Sequence, residues 1–430
     1  MNNMSRRQAL AALAGGAAII ATTAGCSFKS SGAASSSGDG DVEYWTQVDP
    51  TNTVQQAAIS AFNKSSKGQV TLSTIASTGY LGKIQTAMGS SAMPGMFFNW
   101  GGGSLSSYVK AGKLVELDSS LKSHFLASPL QAGIVDGKFV GVPCRGTQPV
   151  FIYYNKSLFA QAGVEPPTTF SDLKNLVTVF KNRGITPITV AGTGTSSWTE
   201  LMWVEYLVDR IGGPGVFRSI AGGDWSSWKD PSVLQAAETI AELISSGAFG
   251  SNFGSVNYGA GGTSTLLATG RAAMQLMGSW DYATLAGISP SFAKTGLGYV
   301  PFPSVEGGKG DATNVSGNPT NYISVTTAAA STTAADFLKT VYSDSYVLGL
   351  VKMGEVPVTT NTKQLLSQSS DPAYSSFLYN LVAGAPTFTQ SWDQALGSTL
   401  ATPVLTEIQK LFNGQDTPQQ FVNNVLAVQS

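Results

Sequence analysis

The chain has 430 residues, of which 42% are hydrophobic and only 12% are charged, and its formal net charge is -1. So few charges exclude the clustered Lys and Arg side chains that nucleic-acid binding requires. One His and two Cys residues exclude a structural zinc site, and nothing in the sequence indicates a cofactor. The single histidine, His124, has no nucleophile motif beside it, so a catalytic centre built on histidine is not expected.

The first 40 residues predict an export signal followed by a tether. In residues 1–25, Arg6 and Arg7 precede an apolar run that is too short for a comfortable transmembrane span. This segment resembles a twin-arginine export signal. The small residues before Cys26 resemble a lipoprotein processing site, at which Cys26 would receive the lipid. Residues 26–40 are rich in Ser, Gly and Ala and predict a flexible tether.

The body of the chain, from about residue 41, alternates segments with the periodicity of strands and of helices. Strands are predicted over 42–45, 70–76, 94–100, 150–154, 187–191 and 323–326. Helices are predicted over 52–67, 81–88, 104–111, 170–183, 199–211, 231–246, 332–342, 345–353, 372–383, 396–412 and 418–428. The β-α-β-α order of the first part implies a mostly parallel sheet with helices on both faces, and the second series implies a second α/β lobe.

Several segments, in a fixed order, carry a resemblance to a known family. They are residues 136–143 with 150–159, then 166–173, 270–274 and 278–280. Together with the lipoprotein-type signal they resemble the extracellular solute-binding proteins of bacterial ABC sugar importers. The stretch 97–103 is similar to actinobacterial lipoproteins that bind oligosaccharides of the xylobiose type. The chain departs from the family pattern at Cys144 and Arg145, where an aromatic or small residue commonly follows the proline.

The resemblance implies an α/β, two-lobed, periplasmic-binding-protein-like fold with discontinuous lobes and a hinge. Lobe one would comprise residues 41–149 and 303–356, and lobe two residues 150–302 and 357–430. The hinge crossings would lie near Pro149, Phe302 and Val356. Ligand would bind in the cleft between the lobes and shift the population toward a closed form.

Flat aromatic rings and hydrogen-bonding groups are what a neutral sugar requires of its site. Trp100 and Asn99 end a predicted strand, which is where open α/β sheets bind ligands. The resemblance places Trp280 beside the cleft, and the Asp281 carboxylate could accept two hydroxyl hydrogen bonds. Further candidates follow strands, begin a helix after a polar loop or lie near the crossovers: Gln47, Tyr80, Arg145, Gln148, Trp198, Asn318, Glu355 and Trp392. Arg145 could either clamp a pair of hydroxyls or pair with an acid.

The resemblance implies a monomeric binding protein that is not an enzyme and that delivers a neutral mono- or oligosaccharide to ABC permease subunits. It would be lipid-anchored at the extracellular face of the cytoplasmic membrane. Two alternatives remain open on the residues alone. A secreted glycoside hydrolase needs two carboxylates, for which Asp281 and Glu355 are one possible pair. A binding protein for a charged small molecule needs a pocket of complementary charge.

Overall fold

The computed structural model describes residues 40–259 and 261–429. The predicted export signal with Arg6 and Arg7, and the predicted lipidation site Cys26, lie outside the described residues. Within those two ranges, no helix has the length and the apolar character needed to cross a membrane.

The strands and helices follow one another in the alternating order that the sequence predicts. The strands are β1 (Val42–Gln47), β2 (Val70–Ile75), β3 (Met96–Asn99), β4 (Ile134–Val135), β5 (Lys138–Phe139), β6 (Val142–Pro143), β7 (Gln148–Asn155), β8 (Thr186–Thr189), β9 (Ala272–Gly278), β10 (Leu297–Val300), β11 (Val315–Asn318), β12 (Tyr322–Val325) and β13 (Phe388–Gln390). The helices are α1 (Asn52–Asn63), α2 (Ser77–Met88), α3 (Ser106–Lys110), α4 (Ala127–Leu130), α5 (Lys156–Ala162), α6 (Phe170–Asn182), α7 (Trp198–Gly212), α8 (Gly215–Ala221), α9 (Pro231–Ser246), α10 (Gly262–Ala268), α11 (Asp281–Ile288), α12 (Thr332–Leu338), α13 (Asp344–Lys352), α14 (Thr362–Leu365), α15 (Pro372–Ala383), α16 (Trp392–Ala395), α17 (Ser398–Phe412) and α18 (Pro418–Ala427).

Local sequence signals fix where several helices begin and end. The Thr169 hydroxyl accepts a hydrogen bond from the Asp172 backbone N–H, and the Asp172 carboxylate accepts one in return from the Thr169 N–H, which starts α6. Helix α9 starts at Pro231, whose missing N–H costs nothing in the first turn. It stops at Gly247, which adopts the left-handed conformation with a φ of 81°.

Two sheets in two lobes organise the described chain. The first has the strand order β2-β1-β3-β12-β6, and in it β1 runs parallel to β2 and β3 as the sequence predicts. The second has the order β13-β11-β7-β9-β8, with β10 added beside β7. This second sheet is mixed, because β7 runs antiparallel to β9, β10 and β11, whereas β8 is parallel to β9 and β13 is parallel to β11. The α/β, two-lobed fold class is therefore confirmed.

Three crossover segments connect the two sheets. Residues 144–147 lead from β6 to β7, residues 319–321 lead from β11 back to β12, and a third segment containing Val356 lies on the path from β12 to β13. The segments are bonded to one another. The Cys144 N–H donates to the Asn321 carbonyl at 2.8 Å, and the Thr147 N–H donates to the Val356 carbonyl at 2.8 Å. The Thr320 hydroxyl donates to the Arg145 carbonyl at 2.8 Å.

The position of β11 differs from the predicted division of the lobes. Residues 303–356 were expected in lobe one, with a crossing near Phe302. In the structure, Gly317 and Asn318 of β11 pair with the start of β7 in the second sheet. The chain therefore returns to the first sheet after Asn318 and not at Phe302.

Helix α7 is buried on nearly every side within the second lobe. Its buried residues include four with ionisable side chains, namely Glu200, Glu205, Asp209 and Arg210. Asp209 and Arg210 form an ion pair at 2.7 Å, and the Arg210 guanidinium also donates to the Asn314 carbonyl at 2.9 Å. Both carboxyl oxygens of Glu200 are buried and have no hydrogen-bond partner among the described residues. The helix thus combines a buried ion pair with a buried acid that lacks a partner in the described ranges.

Candidate functional site

A cavity of about 500 Å³ lies beside the crossover segments and is bordered by residues from both sheets. Its size is within the range of small-molecule sites. Asp49, after β1, contributes from the first lobe, and Ser279, after β9, contributes from the second. Predicted site residues that line this cavity are Arg145, Gln148, Trp280 and Glu355.

Arg145 is held between two acids. Its guanidinium lies 3.0 Å from the Asp49 carboxylate and forms a bidentate ion pair with the Glu355 carboxylate. The Glu355 carboxylate also accepts the Gly146 N–H at 2.7 Å. Of the two roles predicted for Arg145, the structure shows the pairing with acids. The departure from the family pattern at this position therefore ties the first crossover segment to the third.

The charges around Arg145 also compensate one another. Burial raises the pKa of Asp49, but the Arg145 charge and hydrogen bonds from Thr51 outweigh it and bring the pKa below its usual range. The Asp49 carboxylate is therefore ionised at neutral pH, and it accepts the Thr51 hydroxyl at 2.7 Å. One arginine faces two carboxylates at this edge of the cavity, which leaves no surplus cation for an anionic ligand.

Trp280, which lines the cavity on the second lobe's side, packs against Trp198, and both rings are half-buried. The ring centroids of Trp198 and Trp280 are 6.1 Å apart, and the planes are inclined by 52°. Trp198 begins α7, and Trp280 follows directly after β9. A Cβ atom at Gly278 would overlap the Trp280 ring, so only glycine lets this ring lie across the strand end. We refer to Trp198 and Trp280 as the aromatic pair.

Asp281, another predicted ligand contact, is buried behind the Trp280 ring's chain segment. Its side chain is fully buried and accepts hydrogen bonds from Ser264 at 2.7 Å, Gln275 at 3.2 Å and Tyr258 at 3.3 Å. Burial raises the pKa of the Asp281 carboxyl to about 6. Asp281 follows Trp280 in the chain, but the sequence does not show the direction in which its side chain points.

Three other predicted ligand contacts lie in the core, where their side chains have partners inside the protein. Tyr80 is 1% exposed and its hydroxyl donates to the Phe98 carbonyl at 2.6 Å. The Asn99 amide is buried and donates to the Ser324 hydroxyl at 2.9 Å. Trp392 is 1% exposed and stacks on Phe217, with centroids 4.3 Å apart. For Asn99 and Trp392 the partner that covers the side chain is far away in the sequence, whereas Phe98 follows Tyr80 by 18 residues.

The remaining predicted residues are partly exposed at strand ends. Gln47 ends β1. The Asn318 amide donates to the Gln148 side chain at 3.3 Å, because these residues face each other in the β7–β11 pairing. Trp100 packs edge-on against Phe98, with centroids 5.4 Å apart. These positions stay predictions as ligand contacts.

The two lobes meet closely next to Trp100. The Gln390 amide, from β13 in the second sheet, donates to the Trp100 carbonyl at 2.6 Å. A Cβ at Gly102 would overlap the Gln390 side chain, and a Cβ at Gly103 would overlap the Ala395 carbonyl. A second cavity of about 680 Å³ opens beside this contact. The glycines that follow Trp100 therefore permit a close approach between the lobes.

Sequence reasoning missed a polar aromatic cluster in the wall of the first cavity. The Tyr282 hydroxyl donates to the Asp371 carboxylate at 2.6 Å, and the Tyr282 ring stacks on Tyr374 at 4.2 Å. The Tyr374 hydroxyl donates to the Ser279 carbonyl at 2.9 Å. The only signal was Asp371 before Pro372, which reads as an ordinary helix start and does not point to a site.

The chain is similar to several known proteins. Among curated relatives, an uncharacterized ABC transporter extracellular-binding protein from Pyrococcus horikoshii is 23% identical over 232 residues, which is 51% of this chain and 50% of that protein. The chain therefore spans about half the length of this relative.

Two solved structures match nearly the whole chain. One, described under xylan utilization by the thermophilic bacterium Caldanaerobius polysaccharolyticus, is 26% identical, with a TM-score of 0.73, and the match covers 90% of this chain and 99% of that one. A chitin oligosaccharide binding protein is 25% identical, with a TM-score of 0.74 and coverage of 90% and 98%. Residues 45–347 match the model of a family described as bacterial extracellular solute-binding protein. The chain belongs to this family.

Proposed function

We propose that the protein is the substrate-binding component of an ABC importer and that it captures a neutral sugar or short oligosaccharide between its lobes. The observation that carries the proposal is the Trp280 ring, which lines a cavity together with hydrogen-bonding groups such as Gln148 and Ser279 and is backed by Trp198. A sugar ring can stack its C–H faces on an aromatic ring, and the hydroxyls around its edge can form hydrogen bonds with polar groups. The two structural relatives named for xylan and chitin oligosaccharides support the same ligand class.

A charged small molecule fits the cavity less well. Arg145 is already paired with Asp49 and Glu355, and Asp371 accepts the Tyr282 hydroxyl. An ionic ligand would have to replace one of these interactions at the cost of leaving a partly buried charge unpaired. A neutral ligand can bind without disturbing them.

We infer that the protein does not hydrolyse its ligand. The carboxylate pair that a hydrolase would need was sought in Asp281 and Glu355. Asp281 is fully buried with three donors around it, and Glu355 is paired with Arg145. Neither acid is placed as a free proton donor or nucleophile toward the cavity. The family and the structural relatives are binding proteins.

A thermal-shift screen tests the ligand class. Xylo-, cello- and chito-oligosaccharides are offered to the mature protein, with glutamate and phosphate as charged controls. A ligand at about 100 times its Kd stabilises the fold by roughly 2.7 kcal/mol, which for a chain of this length raises Tm by about 3 °C. We expect such a rise with at least one oligosaccharide and none with the charged controls. A rise with a charged compound alone would contradict the proposal, and chromatography that detects cleavage products would contradict the absence of hydrolysis.

We further propose that residues 1–25 are removed, that Cys26 carries a lipid and that the monomeric protein serves a permease from the extracellular face of the cytoplasmic membrane. The proposal rests on Arg6, Arg7 and the small residues before Cys26. In cells that express the full chain, we expect the protein in the membrane fraction. The Cys26→Ser variant should lose the anchor and appear in the medium. Equal membrane retention of both proteins would exclude lipidation as the anchor.

A further inference from the structure

A buried polar cluster lies directly behind the aromatic pair. It consists of Asp281, Tyr258, Ser264, Gln275 and Thr263. The Asp281 carboxylate is its centre and accepts three hydrogen bonds from the cluster. The Gln275 amide divides its two N–H groups between Asp281, at 3.2 Å, and the Thr263 hydroxyl, at 3.1 Å. Except for Tyr258, which is partly exposed, these side chains are buried.

Both members of the aromatic pair are supported by this cluster. The Tyr258 ring meets Trp198 edge-on, with centroids 4.7 Å apart and planes inclined by 82°, while its hydroxyl donates to Asp281. The Tyr258 backbone N–H donates to the Ser196 hydroxyl, two residues before Trp198. Trp280 is the chain neighbour of Asp281 at the start of α11. A change in how Asp281 bonds is therefore transmitted to both rings.

No cation in the described part of the chain is paired with Asp281. The titratable groups that face it are the hydroxyls of Tyr153 on β7, Tyr258 before α10 and Tyr374 on α15. The side chains that reach it from β9 and α10 are the uncharged Gln275 and Ser264. Burial without a neighbouring cation raises the pKa of the carboxyl to about 6.

The cluster contains a hydrogen-bond acceptor to which a protonated Asp281 could donate. The Gln275 carbonyl oxygen is buried and has no hydrogen-bond partner among the described residues. An ionised Asp281 matches the observed arrangement, in which three donors point at it. A protonated Asp281 must donate, and rotation of the Gln275 amide would offer it that carbonyl. The hydrogen bond from the Tyr258 hydroxyl to Asp281 would then be weaker, because a hydrogen bond to a charged carboxylate is stronger than one to a neutral carboxyl group.

We propose that Asp281 is a positioning residue whose ionised carboxylate holds the aromatic pair in its ligand-accepting arrangement, so that proton uptake by this buried cluster weakens ligand binding. The inference deepens the proposed function and rests on it for the identity of the ligand. The effect on the two rings does not depend on which sugar binds.

Tryptophan fluorescence without ligand is the first test. It is recorded for the wild type from about pH 4.5 to about pH 8, and we expect a transition near pH 6. Asp281→Asn should lack the transition, and Trp280→Phe should reduce its amplitude. Asp344→Asn is a matched control, because Asp344 is the first residue of α13 as Asp281 is of α11. If Asp281→Asn does not fold, Tyr258→Phe keeps the ring, removes the link to Asp281 and should reduce the amplitude instead.

Calorimetry with xylobiose and chitobiose is the second test. For a sugar that binds, we expect wild-type affinity to fall about tenfold from about pH 7.5 to about pH 5, and affinity of Asp281→Asn to be low and independent of pH. The inference would be overturned if the wild type showed no fluorescence transition. It would also be overturned if the transition persisted unchanged in Asp281→Asn or in folded Tyr258→Phe. A transition that behaves as expected while neither sugar binds would support the positioning role and count against the proposed ligand class.

Discussion

Replacing Trp198 or Trp280 with leucine is expected to weaken sugar binding by about 30-fold or more, which corresponds to a loss of about 2 kcal/mol. Leucine keeps an apolar side chain but removes the flat face on which a sugar ring stacks. Both rings pack against the second lobe's core but are only partly buried, so each keeps exposed area that a ligand could cover. Titration calorimetry with the oligosaccharide found in the thermal-shift screen measures the effect.

Trp225→Leu is the matched control for these two variants. Trp225 belongs to the same lobe but is 7% exposed, and its indole N–H donates to the Val425 carbonyl at 3.0 Å, away from the cavity. The control should lower Tm and leave the affinity of the folded protein unchanged. Wild-type affinity in both Trp198→Leu and Trp280→Leu would show that the ligand does not bind on the aromatic pair.

Glu200→Gln is expected to stabilise the protein by about 3 kcal/mol near pH 7 and to have little effect near pH 4.5. Burial raises the pKa of Glu200 to about 9, so the acid stays protonated in the fold at pH values where the unfolded chain has released the proton. The wild type therefore loses free energy of unfolding as the pH rises from the ordinary glutamate pKa toward 9. Glutamine has a similar shape and no proton to release, so the variant avoids this loss.

Denaturant unfolding of both proteins across that pH range measures the difference. Glu238→Gln serves as the control, because Glu238 is exposed on α9 and its replacement should change stability little at any pH. Glu205→Gln offers a useful contrast. Burial raises the pKa of Glu205 to about 8, but its carboxylate accepts the Trp392 N–H at 2.7 Å, and we expect a smaller gain. Equal stability of Glu200→Gln and wild type near pH 8 would contradict the assigned protonation state.

The sequence predicted those parts of the fold that depend on local pattern. The alternation in 42–45 and 70–76 and the start and stop signals of α9 all correspond to elements in the structure. Trp280 and Gln148 line the cavity, and it was the family resemblance that placed the first beside the cleft and the second near a crossover. The resemblance to solute-binding proteins then supplied the two-lobed arrangement, which the local patterns alone leave undetermined.

What local pattern could not predict are contacts between residues far apart in the sequence. Trp392 stacks on Phe217, and the Asn99 amide donates to the Ser324 hydroxyl, so both side chains are buried in this structure. Asp281 turns inward because Gln275 and Ser264 supply donors there. β11 joins the second sheet through its pairing with β7 and β13, which no periodicity in 315–318 encodes. A polar residue at a strand end is therefore a weak predictor of a site until its partners are known.

The bonds among the three crossover segments have a mechanical consequence for the lobes. The first segment is fastened to the second through Cys144 and Thr320, and to the third through Thr147 and the Arg145–Glu355 pair. Three separate segments would let the lobes twist and slide as well as bend. Because the segments are hydrogen-bonded to one another, twisting or sliding of the lobes would break several hydrogen bonds at once, whereas bending at the segments preserves them. The connection between the lobes thus favours bending about one axis.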